Sequence, residues 1–531
     1  MSRVPARPRH TMKLTLQVLF LSLLSAGLEL AWIKAVPFGA TYDSSSYVGV
    51  ARWMLHMPPH MWNIIEYYSK GFPALLVLGG IFWNDSFAYV KLFFFIMAAA
   101  MPSLVFVILR AGNRHAAFPG ALLLIISGMP YIYSWDIMSD QLHVFLLLCS
   151  IGVFTRVMQS RSIGWVIAFA VLISMTWYVR PISILIPGLF ILILMIYRGS
   201  PWQDLRHNLV HSAIIAAITF GIFIAGSAYH SDLEKRPFKL GVTQNYSANQ
   251  ALMAYYVLAP TYFAQVNHRA IEPLIVPENG PATARLFEMF REVVRKTNSL
   301  PGIEEAKSFN GDVDAFTQEM INHPRLIYFY HLVWQLDGLF KTDVVDKVIQ
   351  ATVKEALSVH PGLVRYMIWN FLQGLGSQSW GIRGDGGPFT HPPYSMPGDT
   401  EFHHSLFVNL VGPRALSELT RTLPSAPVAQ AISDWLERMV GVTEKVKPYM
   451  AIIAIVGFVL TVRRRNYILA LCVGGMFYYP ALQGIIMIFQ LRYAYPIVVL
   501  MIMAGALAIA ALAELVVDLT GRSMARASRP A

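Results

Sequence analysis

An acidic residue stands early in the chain and is followed at intervals of four by an aromatic, a small and an aliphatic residue: Asp43, Tyr47, Ala51 and Leu55, in the run that opens Thr41-Tyr42-Asp43-Ser44-Ser45-Ser46-Tyr47. Residues four apart share one face of an α-helix, so a helix beginning near Asp43 and lying along the membrane would carry the carboxylate and the Tyr47 hydroxyl together. A carboxylate held this way can take the proton of an attacking hydroxyl, and the same residue can cap the helix; the two roles are compatible. Lys70, in Ser69-Lys70-Gly71-Phe72-Pro73, can hold a phosphate as a point charge or extend its ammonium to a membrane surface. Asp136 and Asp140 are four residues apart in Ser134-Trp135-Asp136-Ile137-Met138-Ser139-Asp140, where they can bind a cation, orient a sugar or stay solvated. Two acids fall short of the six or more oxygens that a hard cation takes, so the pair is weak support for a metal. Arg180, in Val179-Arg180-Pro181, and Arg492, in Leu491-Arg492-Tyr493-Ala494-Tyr495-Pro496, either mark helix ends or grip phosphate.

The elements that must position these groups follow from composition. In 531 residues, 55% are hydrophobic, 14% are charged and the mean hydropathy is +0.48. That is more apolar surface than one soluble core can hide, so the excess faces lipid. The net charge of +11 comes from Lys and Arg set beside apolar runs, where they orient helices; it gives no ground for nucleic-acid binding. Cys149 and Cys472 both fall inside apolar runs, which leaves no disulfide for the hydrophilic part. The chain opens with Arg3, Arg7, Arg9 and Lys13 ahead of an apolar run with no small-residue cleavage site, as a retained first helix would.

Apolar runs predict helices at Leu14–Ile33, Phe87–Leu109, Ala116–Trp135, Leu142–Val157, Leu209–Ala228, Val446–Val462, Tyr467–Phe489 and Ile497–Val517. The run Ile163–Tyr197 is too long for one span and carries an arginine and a proline at Val179-Arg180-Pro181, so it divides there into two helices. Ala74–Trp83 is too short to cross and is expected to lie at the interface. The expected fold is an all-α polytopic membrane protein of about ten transmembrane helices, with both termini cytoplasmic. Three parts are expected: a membrane module over 1–228, a mainly helical outer segment over 229–445 between the seventh and eighth helices, and a second membrane module over 446–531. In the outer segment, the Gly- and Pro-rich stretch Gly374–Gly398 reads as a loop able to cover a site. Asp385, His391, Asp399, His403 and His404 have no recognised zinc spacing, and no metal or other cofactor is expected.

The ordered series Asp43-x-x-x-Tyr47-x-x-x-Ala51, Lys70-Gly71-Phe72-Pro73, Ser139-Asp140, Val179-Arg180-Pro181 and Arg492-Tyr493-Ala494-Tyr495-Pro496 resembles the GT-C superfamily of integral membrane glycosyltransferases. The likeness is to the bacterial relatives of protein mannosyltransferases and of the lipid A aminoarabinose transferase. It covers the membrane part and skips the outer segment. It implies transfer of a hexose or pentose from a polyprenyl-phosphate sugar to a hydroxyl of an envelope glycan, lipid or protein, at the outer face of the plasma (inner) membrane. On the same resemblance Asp43 is the catalytic base or acceptor-orienting acid, while Tyr47, Lys70, Asp136, Asp140, Arg180 and Arg492 bind substrate. Two departures stand out: Ser44 follows Asp43 where many relatives have a second acid, and the outer segment interrupts the membrane part instead of ending the chain. A transporter would instead use intramembrane polar residues such as Glu29, His143 or Gln483, which look isolated or close to helix ends; a non-catalytic envelope assembly protein would need only the outer segment.

Overall fold

The computed structural model describes residues 8–36, 38–39, 42–57, 69–134, 136–160, 162–198, 204–233, 276–297, 336, 339–359, 407, 410–419, 426–486 and 491–527. The long apolar runs picked out above form helices among the described residues. They are α1 (Pro8–Ala35), α5 (Ala88–Gly112), α6 (Arg114–Ile126) with α7 (Met129–Ile132), α8 (Ser139–Gln159), α9 (Ile163–Val179), α10 (Ile186–Tyr197), α11 (Leu205–Leu233), α15 (Pro427–Thr461), α16 (Tyr467–Ile486) and α17 (Leu491–Ala527). Between them lie α2 (Tyr42–Met54), α3 (Gly71–Leu78), α4 (Ile81–Asn84), α12 (Pro281–Thr297), α13 (Thr342–Val359) and α14 (Pro413–Leu419). No strand occurs among the described residues; a single parallel bridge joins Gly39 to Asp136. Among the described residues, six helices are long and apolar enough to cross a bilayer, at Met12–Ala35, Ala88–Gly112, Ser139–Gln159, Leu205–Tyr229, Pro427–Arg464 and Tyr495–Thr520. The chain is an all-α membrane protein.

Local chemistry explains the breaks. The residue before a proline is pushed out of helical geometry, and Arg180 is extended (φ −142°, ψ 115°) ahead of Pro181. A 3-10 turn over Pro181–Ser183 follows, and α10 then begins. Gly128, at φ +73°, ends the α6 run in a left-handed conformation that glycine takes without strain, and the short α7 resumes beyond it. The predicted span Val446–Val462 is the second half of α15, whose first half reaches back to Pro427 through a mixed polar and apolar stretch.

Contacts divide the chain into two units, one comprising Met1–Val242, Leu375–Tyr479 and Gln490–Ala531, the other Thr243–Gly374 and Pro480–Phe489. In the first, α5 packs on α1, α6 and α8; α8 continues to α9, α9 to α11, and α15 packs on α1 and α17. Small residues let these helices approach: a Cβ at Gly457 would stand 2.3 Å from the Ala508 Cβ. Basic-loop ends gather together. Arg464 bonds Glu514 (2.8 Å) and Asp518 (2.7 Å), and Asn113, after α5, bonds the same Glu514 (2.9 Å). At the other end of the helices, residues 410–419 are fastened to α2, the turn after α4 and the start of α5. The Asp85 carboxylate accepts from the Arg414 (2.9 Å) and Ala415 (3.1 Å) amides, Ser86 donates to Glu418 (2.6 Å), Lys91 pairs with Glu418, and Arg52 donates to the Leu410 carbonyl (3.0 Å).

In the second unit α12 and α13 are amphipathic and pack together, burying Leu286, Phe287, Phe290 and Val293 of one helix and Val345, Ile349 and Ala356 of the other. The Glu355 carboxylate accepts from the Ala282 amide (2.9 Å), the Thr283 amide (2.8 Å) and the Thr283 hydroxyl (2.7 Å), so it caps α12 from the neighbouring helix. Burial alone raises the Glu355 carboxyl; the three donated bonds together bring it below the usual carboxylate value.

Candidate functional site

The site is assembled from α2 upward. Ser44 to Ala51 are all buried, so this stretch of α2 is covered by the rest of the protein. Its serines and aromatics make it an internal strut: Ser44 donates to the Ile137 carbonyl (2.9 Å), the Tyr47 hydroxyl bonds Ser139 Oγ (2.9 Å), and the Tyr47 ring meets Phe72 edge-on (4.9 Å, 79°). Asp43 is the second residue of α2, and Arg492 the second of α17; their side chains lie outside the described residues.

Lys70 directly precedes α3. The next residue has to be glycine, since a Cβ at Gly71 would come within 2.6 Å of the Tyr178 carbonyl oxygen at the end of α9. That close approach lets Ser69 donate to the Val179 carbonyl (2.7 Å), which brings the residues before Lys70 and Arg180 into direct contact. Lys70 is buried, with Nζ 5.4 Å from the Trp53 ring centroid. Arg180 ion-pairs with Asp140 Oδ1. Asp140 is fully buried and Arg180 has 12% of its side chain exposed. The second Asp140 oxygen, Oδ2, is buried with no hydrogen-bond partner among the described residues. Asp136 is separate: it precedes α8, so the two acids do not stack on one helix, and its backbone forms the bridge to Gly39 while the residue stays half-buried.

Tyr47, Lys70, Asp140 and Arg180 thus belong to one chain of contacts, from α2 through Ser139 and Asp140 to Arg180, and from Val179 back to Ser69. Neighbours to which the resemblance assigns no role hold it. His143, one turn after Asp140 and fully buried, has Nε2 2.7 Å from Ser183 Oγ and 3.3 Å from the Tyr479 hydroxyl. Ser183 closes the turn that starts at Arg180, its amide donating to the Arg180 carbonyl (3.1 Å), and Tyr478 donates to the Ile182 carbonyl (2.6 Å). Tyr495 donates to Gln141 Oε1 (2.9 Å) and stacks on Tyr133 (4.8 Å, 19°), while Ser134 donates to the buried Glu29 (2.6 Å). Glu29 and His143 are therefore bonded core groups rather than isolated ones, with His143 close to the start of α8; the Gln483 side chain lies outside the described residues. The available signal was a polar side chain inside an apolar helix, three residues after an acid already under suspicion.

An apolar groove of about 420 Å³ opens between α1 and α15, lined by Leu28, Val428, Ala431, Ile432 and Trp435. Among the described residues no three His, Cys, Asp or Glu side chains group as metal ligands would; Asp385, His391, Asp399, His403, His404 and the Gly374–Gly398 stretch lie outside them. The arrangement can bring an arginine and a lysine to the ends of adjacent elements beside a buried acid, which suits an anionic ligand. Comparison with known proteins finds no matching protein-family model and no matching curated protein.

Proposed function

We propose that the chain is a GT-C-type glycosyltransferase that moves a hexose or pentose from a polyprenyl-phosphate sugar to a hydroxyl of an envelope glycan, lipid or protein. It works at the outer face of the plasma (inner) membrane. On this reading the six long apolar helices and four of the five shorter ones, Arg114–Ile126, Ile163–Val179, Pro181–Tyr197 and Tyr467–Leu482, are the ten spans, Gly71–Asn84 lies at the interface, both termini are cytoplasmic and the outer segment is periplasmic. The observation that carries the reading is the buried chain of contacts linking Tyr47, Ser139-Asp140, Val179-Arg180 and Ser69-Lys70, four separated motifs drawn to one end of the helices. The α1–α15 groove suits lipid tails.

In the reaction the acceptor oxygen bonds to the anomeric carbon while that carbon's bond to the phosphate oxygen breaks. Asp43 receives the acceptor proton, and the leaving lipid phosphate keeps the electron pair, stabilised by Lys70 and by Arg180 or Arg492. In-line attack inverts the anomeric centre. The purified protein, incubated with labelled polyprenyl-phosphate sugar and envelope extract, is expected to give a labelled product and free polyprenyl phosphate. Asp43→Asn and Lys70→Ala should lower the rate by about ten- to a thousandfold with folding intact. No product from folded wild-type protein removes the transferase reading, and a wild-type rate from Asp43→Asn removes Asp43 from it. The buried Glu29 and His143 favour a transporter as the second reading; label entering sealed vesicles without product would mark it.

A further inference from the structure

The cation that faces the proposed phosphate is already neutralised. Arg180 projects from the break between α9 and α10 and is paired with Asp140, a fully buried acid whose other oxygen has no hydrogen-bond partner among the described residues. Both ends of the pair are fixed. Asp140 stands in the first turn of α8, and the Arg180 turn is tied to the same helix by the Ser183–His143 bond (2.7 Å) and to α16 by Tyr478 (2.6 Å to the Ile182 carbonyl). An acid with one oxygen unmet inside a protein depends on its cation, and the cation's field toward any third group is reduced by the acid.

The geometry points to Asp140 as the counter-ion that limits the grip of Arg180 on a phosphate monoester, and so lets the spent lipid phosphate leave. Arg180, 12% exposed, is the member of the pair that a ligand can reach; Asp140, with no exposed surface, is not. Asp140 then contacts neither sugar nor acceptor. It is a positioning residue with an electrostatic task. The inference rests on the transferase reading for the lipid, but its test needs no sugar transfer.

The experiment measures binding of polyprenyl monophosphate to the full chain in phosphatidylcholine nanodiscs, with inorganic phosphate in a parallel arm. Asp140→Asn keeps a carbonyl oxygen where Arg180 bonds and removes the charge. It is expected to tighten lipid-phosphate binding about tenfold, a gain that loss of a structural contact cannot give. Arg180→Gln is expected to weaken binding about tenfold or more, and Asp140→Asn with Arg180→Gln to bind as weakly as Arg180→Gln alone. Tightening with polyprenyl monophosphate alone assigns the lipid as the source of the phosphate; tightening with both probes assigns the phosphate group itself, and either supports the counter-ion role. Unchanged or weaker binding by folded Asp140→Asn overturns it and leaves the transferase reading intact. Should Asp140→Asn not fold, the double variant, which removes both charges of the pair, decides: wild-type affinity there overturns the role. If polyprenyl monophosphate does not bind the wild type at all, the transferase reading falls and takes this inference with it.

Discussion

Replacing His143 by leucine removes the side chain that, alongside the Asp140–Arg180 pair, ties the Arg180 turn to α8. Nε2 lies 2.7 Å from Ser183 and 3.3 Å from Tyr479, and all three residues are fully buried. The two hydroxyls left behind are 3.5 Å apart, at the limit of a hydrogen bond, so at best they share one weak contact. A buried polar group deprived of its partner costs about 1–3 kcal/mol, and bonds between side chains inside membrane proteins average about 0.6 kcal/mol in double-mutant cycles. Together these give a loss of about 1–3 kcal/mol for His143→Leu. Ser183→Ala should cost about 1 kcal/mol, and the double variant should be less damaged than the sum by about 1 kcal/mol. Reversible denaturation in mixed micelles with rising SDS reads all four proteins. Independent sites add within about 0.3–0.5 kcal/mol, so a coupling inside that window, in folded protein, refutes the claim that His143 acts through Ser183.

Tyr47→Phe keeps the ring against Phe72 and loses the bond to Ser139, so it should cost about 1 kcal/mol in the same denaturation assay; no measurable loss would mean that the ring packing carries the contact instead. Glu355 tests the second unit by pH. Its folded-state pKa is depressed, so its stabilisation is fully present above the unfolded value of about 4.3 and is lost as pH falls through the folded value. Amide exchange at Ala282 and Thr283 in the full chain should accelerate on acidification through that window, beyond the intrinsic trend, and Glu355→Gln should abolish the dependence. A wild-type profile in Glu355→Gln would show that the cap is not what titrates.

The helices were legible because lipid leaves the chain little choice: a long apolar run must satisfy its own backbone, and the helix does so within the run. The division at Arg180 was equally plain, since proline denies helical geometry to the residue before it. The first half of α15 was not, because Pro427 to Lys445 mixes polar and apolar residues and its helicity rests on tertiary contacts with α1 that no hydropathy window registers. The burial of α2 escaped for a related reason. Nothing in the serine run marks it as buried, because Ser44 spends its hydroxyl on the carbonyl of Ile137, a partner far away in the chain. In the site, the charged members could be named from the sequence, while their supports could not. His143, Ser183 and Tyr479 sit in apolar surroundings on three different elements, and only folding brings them within bonding distance.

The interruption between α9 and α10 bears on how such a site can be inherited. Were the helix to run on from Val179, each further residue would swing its side chain by about 100° around the axis, and the guanidinium would sweep past its acid to face another neighbour. A covalent pyrrolidine ring, more than any contact, sets the bearing of this charge. A descendant chain that kept the arginine and lost the ring would retain the formal charge in its sequence while aiming it elsewhere.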